Sequence, residues 1–344
     1  MNSRFESIAK PIAHPFTLIL AMIFATVSIS AQVRGPGGVA ARFGQPRVGL
    51  LQQPIQAVSA ESPAPLSGSS FGFGLIDFPR SPDSTAFGVN SKNEIVGVYG
   101  SDLPQWEGLT QSYLLKGNDY LKIAYPGAPY TSAFGINKQG EIVGWYYDPS
   151  GNGIWHAFLL KGKTYTTIDY PGAQYTAALN INDHGEIIGL YWSGAGMQHG
   201  FMLVKGAYTT FDPPASAGTE PVGINSSGTV VGNYADSSND SHGFIYQNGQ
   251  FTTVDYPGSP NTGLTGINDK GQIIGGYGDT VQVGALFWPT PKVFLLESGT
   301  YTTFTPPVGD AQVTWAYTLN GNNFVGFYVD SLGNIYGYEA TISQ

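Results

Sequence analysis

Cysteine is absent from the 344 residues, which excludes disulfides and thiolate chemistry. Charge is scarce: Asp, Glu, Lys and Arg together make up 11% of the chain, and 15 basic residues face 24 acidic ones for a net charge of -9. A chain without a basic stripe is not a nucleic-acid binder. Helical periodicity is missing as well, since no 3.6-residue apolar pattern outlasts a turn or so. Nucleophile elbows, phosphate loops and zinc-helix motifs do not occur. The sequence therefore points to no catalytic residue, no metal and no cofactor.

The one long apolar run, Phe16 to Ile29, follows Arg4 and Lys10 and leads into the small residues Ser30 and Ala31. A basic flank, a short apolar core and a small-residue exit describe a secretory signal peptide over 1–31, too short for a comfortable membrane span. Cleavage near Ser30 or Ala31 would leave no membrane span, whereas an uncleaved segment would act as an anchor. Residues 32–70 are rich in Pro, Gly, Ser, Ala and Gln without strand-length alternation. Such a stretch buries too little apolar surface to offset its ordering entropy and reads as a flexible linker.

What remains, 71–344, is rich in Gly, Tyr, Phe and Thr, a composition of strands and tight turns. A unit of roughly 45 residues recurs across it, and a period of that size marks a repeat architecture. Each copy carries an Asn at a turn: Asn90, Asn137, Asn182, Asn225, Asn268 and Asn320. A glycine follows 7 residues later in the first five copies and 6 later in the last: Gly97, Gly144, Gly189, Gly232, Gly275 and Gly326. Between them lies an Asn-x-x-Gly or similar turn, and Asn and Gly are the residues that tolerate left-handed backbone in a hairpin. An aromatic residue then opens a third strand: Tyr113, Phe158, Phe201, Phe244, Phe294 and Tyr338. A fourth strand ends at Asp169, Asp212 or Asp255 before a proline turn, with the Asp replaced by Ala124 and Thr305 elsewhere.

Four short antiparallel strands per unit are the signature of propeller blades, and six units predict an all-β, six-bladed β-propeller. The ends of the repeat region are complementary. Phe73 to Phe78 matches a fourth strand with no first three before it, and Ile335 to Gln344 is a third strand with no fourth after it. The N-terminal strand should complete the last blade and close the ring, leaving no long unpaired edge. An open β-solenoid, the competing architecture, would not need complementary ends.

The steps Trp155-His156-Ala157-Phe158, Gly135-Ile136-Asn137 and Gly140-Glu141-Ile142-Val143-Gly144 resemble the HAF-repeat extracellular proteins of bacteria, over most of 73–344. His is present at His156, His199 and His242 and absent from the other three copies. The resemblance implies an exported repeat protein and no established reaction.

Segment lengths locate the variable part. Between second and third strands the spacing runs from 10 residues (Tyr191 to Phe201) to 17 (Tyr277 to Phe294), while the other connections are nearly constant. These loops share one face of a propeller with the proline turns, and loops vary where function is carried. That face should present Trp106, Trp155 and Trp288, with Trp192 at its edge, Tyr130, Tyr175 and Asp310 from the proline-turn side, and Trp315 opening the last inner strand. Exposed aromatic rings beside polar loops suit a sugar or protein ligand; packing between blades is the alternative use of the same rings. The repeated Asn, His and Asp residues read as turn and packing groups. Asp148 to Gly153 has the flavour of a calcium loop but lacks the closing Glu. In the fifth copy Leu286 to Trp288 competes with Phe294 for the third strand. The expectation is a secreted or cell-surface monomer that binds a glycan or protein through this face without catalysis. The alternative is a carbohydrate-active hydrolase or lyase, whose paired carboxylates would come from Glu107, Glu220, Asp279 and Asp310.

Overall fold

A computed structural model describes residues 50–56, 70–76, 78–79, 81, 83–100, 109–151, 154–193, 197–238, 240–278, 280–283, 286–289, 292–304, 313–329 and 335–343. Its topology is a ring of six antiparallel blades, a six-bladed β-propeller. Blade 3 is typical, with strands Tyr175–Ile181, Ile187–Trp192, Gln198–Val204 and Ala207–Phe211. Blades 1, 2, 4 and 5 open with inner strands Asp83–Val89, Thr131–Ile136, Gly218–Ile224 and Asn261–Ile267. In blade 5 the third strand is Lys292–Glu297, so Phe294 keeps its place, and Leu286–Pro289 pairs with Thr280–Val283 in a separate small hairpin. A 3₁₀ turn at Pro149–Gly151 is the one helical element among the described residues, and no described helix is long and apolar enough to cross a membrane.

Blade 6 is built from both ends of the repeat region. Val313–Asn320, Asn323–Val329 and Ile335–Ser343 are joined by Ser70–Ile76, which pairs antiparallel with Ile335–Ser343 from Ser70↔Ser343 to Ile76↔Gly337. The ring is thus closed as the complementary ends required. One departure lies further out: within the stretch read as linker, Leu50–Gln56 adds a fifth strand on the outer edge of Ser70–Ile76. The outer edge of the closing strand offers unpaired backbone groups, and main-chain pairing needs no apolar alternation to occur there.

The repeated landmarks turn out to be partners. Gly189 lies opposite Phe201 in the ladder, and the same pairing joins Gly97 to Tyr113, Gly144 to Phe158, Gly232 to Phe244, Gly275 to Phe294 and Gly326 to Tyr338. All six rings are fully buried, lying over a position with no side chain. A second aromatic device docks the crossovers: Tyr125, Tyr170 and Tyr256 stack on Tyr146, Tyr191 and Tyr277 of the following blade at 3.6, 3.7 and 3.5 Å. In the proline turn Ala173 N–H donates to Tyr170 O, with Gly172 at φ 79°, the type II geometry that Pro-Gly favours.

The turn asparagines do more than hold their own hairpins. Asn182 Oδ1 accepts from the N–H groups of His184 and Glu186, while Asn182 Nδ2 donates to Glu186 Oε2 at 2.7 Å and to Asn225 O of the next blade at 3.0 Å. Nδ2 groups of Asn90, Asn137, Asn225 and Asn268 likewise reach Asn137 O, Asn182 O, Asn268 O and Gly321 O, forming an amide relay around the axis. Asn182→Asp keeps the shape but sets a carboxylate against Glu186 and a carbonyl. It is expected to cost about 3 kcal/mol, the range for breaking a buried polar pair. Urea unfolding checks this, and a cost no larger than that of an exposed Asn→Asp change would refute the relay.

Candidate functional site

The inner strand of every blade contains a bulge, between Ala86 and Gly88, Ala133 and Gly135, Ala178 and Asn180, Pro221 and Gly223, Leu264 and Gly266, and Ala316 and Leu319. A bulge re-aims the extra side chain, and here Phe87, Phe134, Leu179 and Tyr317 at these bulges join one buried cluster. The cluster draws on blades 6, 1, 2 and 3. Blades 3 and 6 stand opposite each other, so this apolar core crosses the axis. At the face of the Asn turns the axis opens into a cavity of about 40 Å³ ringed by Ile136, Ile181, Ile224 and Ile267 with Asn182 and Asn225. That volume holds a few waters at most, far below the few hundred Å³ of a ligand pocket.

Towards the opposite face, that of the variable loops, four of the expected aromatics fall into two groups, one around Trp155 and one around Tyr175. Trp155 meets Trp145 edge-on at 4.1 Å and Tyr147 at 5.0 Å, and Tyr147 lies 5.6 Å from Tyr130. Tyr175 stands edge-on to Trp192 at 6.5 Å, and Trp155, Tyr175 and Trp315 all pack on the cluster while remaining half-buried. Trp192 itself is only 4% exposed, so it backs the surface rather than presenting a face. Trp106 and Asp310 lie outside the described residues. Trp288 falls in the small blade 5 hairpin, and its side chain lies outside the described part.

Among the acidic candidates Glu107, Asp279 and Asp310 lie outside the described residues. Glu220 is buried on the inner strand of blade 4, 7% exposed, and burial pushes its carboxyl up to about 8. No described carboxylate is among the groups that shift it, so Glu220 is not part of the carboxylate pair that glycoside hydrolysis needs. Nor does any described group of three His, Asp or Glu side chains offer a metal site.

The repeated His and Asp form clamps. Nδ1 of His156, His199 and His242 lies 2.6, 2.8 and 3.0 Å from Asp169, Asp212 and Asp255. The other oxygen of Asp169 and Asp212 accepts the N–H of Ala157 and Gly200, pinning the start of the third strand to the end of the fourth. Ser193 Oγ lies 3.5 Å from His199 Nε2, which completes a Ser–His–Asp series on blade 3. The corresponding position in blade 4 is Asp236, 3.7 Å from His242 Nε2. An acceptor there brackets the imidazole in either case, so the series is a variant of the clamp. The pairing was open to sequence reasoning: the copies that carry Ala124 and Thr305 in place of Asp also lack the His.

Two residues that matter at the axis, Trp145 and Asn233, were not nominated from sequence. Each follows the repeated glycine directly, where the six copies read Val98, Trp145, Leu190, Asn233, Gly276 and Phe327. That lack of agreement is the signal that could have found them.

No family model matches the chain, nor does any curated protein. Among solved structures it is similar to AofleA from Arthrobotrys oligospora, at 10% identity and a TM-score of 0.49, covering 81% of this chain and 87% of that one. It is similar to a variant of the Aleuria aurantia lectin in complex with alpha-methyl-L-fucoside, at 11% identity and a TM-score of 0.48, covering 76% and 94%. It is also similar to the SapL1 lectin in complex with alpha methyl fucoside, at 10% identity and a TM-score of 0.47, covering 77% and 96%. These are likenesses of fold.

Proposed function

We propose that the protein is a non-catalytic binding module that takes a glycan on the variable-loop face. The observation that carries this reading is that Trp155, Tyr175 and Trp315 all pack half-buried on the one axial cluster, Trp155 against Trp145 and Tyr175 against Trp192. Rigid rings held partly open lose little entropy on binding and offer sugars an apolar face. The signal-like segment 1–31 and the resemblance to HAF-repeat proteins support a secreted or cell-surface location, and the closed ring supports a monomer.

The test is a glycan array, including fucosides and amino sugars, probed with the folded protein. Trp155→Ala is expected to lower the signal of any bound glycan by about tenfold or more, since a stacked ring contributes on the order of 1–2 kcal/mol. Leu121→Ala, on an outer strand at 50% exposure, should leave the signal unchanged. A silent array combined with capture of a specific protein would replace the glycan by a protein ligand, and silence in both would refute the binding role.

A further inference from the structure

Oxidisable sulfur is scarce in this chain. It has no cysteine, and of its 4 methionines Met1 and Met22 fall within 1–31, read above as a signal peptide. The ring holds the other two, Met197 and Met202, both in blade 3.

Their surroundings differ. Met202 lies in the third strand opposite Ile188, half-buried and packed on the core that includes Phe211, Ile224 and Phe244. Met197 ends the loop between the second and third strands, where its carbonyl accepts the Ser193 N–H at 3.4 Å. It is 41% exposed, and of the large apolar side chains among the described residues only Leu121 is as open. The exposure is not that of a loose end. The next residue, Gln198, is buried, and its amide donates to Thr219 O of blade 4 at 2.9 Å.

Met197 also stands beside the aromatic group on the variable-loop face. Tyr175 opposes Trp192 in the ladder and Trp192 opposes Gln198, so these three form a row across the end of the blade. Met197 adjoins that row two strand spacings, or about 10 Å, from Tyr175. That is within reach of a ligand seated on the Tyr175 ring.

We propose that Met197 is a reversible oxidation site, taking one oxygen atom from a peroxide, and that its oxidation alters the binding face. A thioether carries no proton, so its rate follows the access of oxidant to the sulfur rather than a pKa. A sulfur lone pair attacks one oxygen of hydrogen peroxide, the O–O bond breaks, and the other oxygen leaves as water. Sulfur is oxidised to the sulfoxide and the peroxide is reduced, two electrons passing between them. Thiol-dependent reductases reverse the step: the oxygen leaves as water and two thiols join as a disulfide. The sulfoxide is polar and chiral where the thioether was apolar. The surface beside Tyr175 thereby gains a hydrogen-bond acceptor without any change in the core. Only the effect on binding rests on the glycan reading given above.

The test exposes the folded full-length protein to hydrogen peroxide and follows oxygen uptake by tandem mass spectrometry, which resolves the two methionines. Met197 is expected to react at least about fivefold faster than Met202, and the two rates should converge in urea. The melting temperature should not change, and methionine sulfoxide reductases with dithiothreitol should remove the oxygen. Equal rates in the folded protein, or a melting temperature that falls as Met197 alone is oxidised, would overturn the proposal. For binding, the glycan array is repeated with the oxidised protein. Its signal should drop at least about threefold and return after reduction. Met197→Leu, compared with itself before and after peroxide, should hold its signal. A glycan signal indifferent to the oxidation of Met197 would remove the effect on binding. An array silent with untreated protein would instead refute the glycan reading, and the oxidation site would stand or fall on the masses.

Discussion

Gly189→Ala is expected to cost at least about 4 kcal/mol, beyond the usual range for overpacking, and to leave blade 3 without fixed packing. The added Cβ would stand 2.1 Å from Ala177 O, 2.8 Å from Phe201 Cε1 and 2.9 Å from Ala178 Cα. On one side is the backbone of the inner strand, held by its own ladder; on the other is a fully buried ring packed against the neighbouring blade. Neither can retreat without breaking other contacts. Gly172→Ala makes the instructive contrast. Its φ is 79° and a Cβ there would meet nothing within 4 Å, so only the left-handed backbone penalty of about 1–2 kcal/mol applies. Urea midpoints and near-ultraviolet circular dichroism of the two variants decide the matter. Equal losses would show that the repeated glycine serves backbone conformation rather than close packing. Phe201→Leu in the Gly189→Ala background should restore part of the loss at most, because the carbonyl clash remains.

The contrast also marks what sequence reasoning can reach. Asn182, Gly189 and Phe201 recur in register because each is required by the geometry of any blade, so six copies report the same constraint. The complementary ends were legible for a similar reason: Phe73 to Ile76 and Ile335 to Ile342 are two parts of one repeat. The strand at Leu50–Gln56 was not legible, since pairing at a sheet edge rests on main-chain groups that leave no pattern in side chains. Nor was the axial layer. Where it meets the axis each blade supplies a different residue, and the bulges that turn Phe87 or Tyr317 inward depend on backbone geometry. Glu220 drew notice as an acid that breaks the repeat, but its burial and lack of partners are properties of the closed ring.

That isolation gives Glu220 a measurable effect on folding, independent of any ligand. Its carboxyl has a reference value of 4.5 and is raised by burial to about 8 in the fold. Between these values the unfolded chain releases a proton that the folded one keeps, so stability falls as pH rises, by up to about 1.4 kcal/mol per unit. The contribution is complete below pH 4.5 and lost by about pH 8, a total of roughly 5 kcal/mol. Glu94 and Glu141 act in the opposite sense. Burial alone would raise them, but Lys116 and Asn90 at the first, and Lys161 and Asn137 at the second, more than reverse this and hold both below the usual carboxylate range. Their stabilisation is present above pH 4.5 and lost on acidification. The wild-type profile should therefore climb out of the acid range, peak near pH 5 and decline towards pH 8. Glu220→Gln should follow the climb and then stay level, ending several kcal/mol more stable at pH 9, or on the order of 10 °C in melting temperature. Parallel profiles for the two proteins from pH 5 to 9 would mean that the Glu220 carboxyl is already ionised at neutral pH. A carboxyl that nothing in the protein compensates could then be charged only with water or a cation beside it.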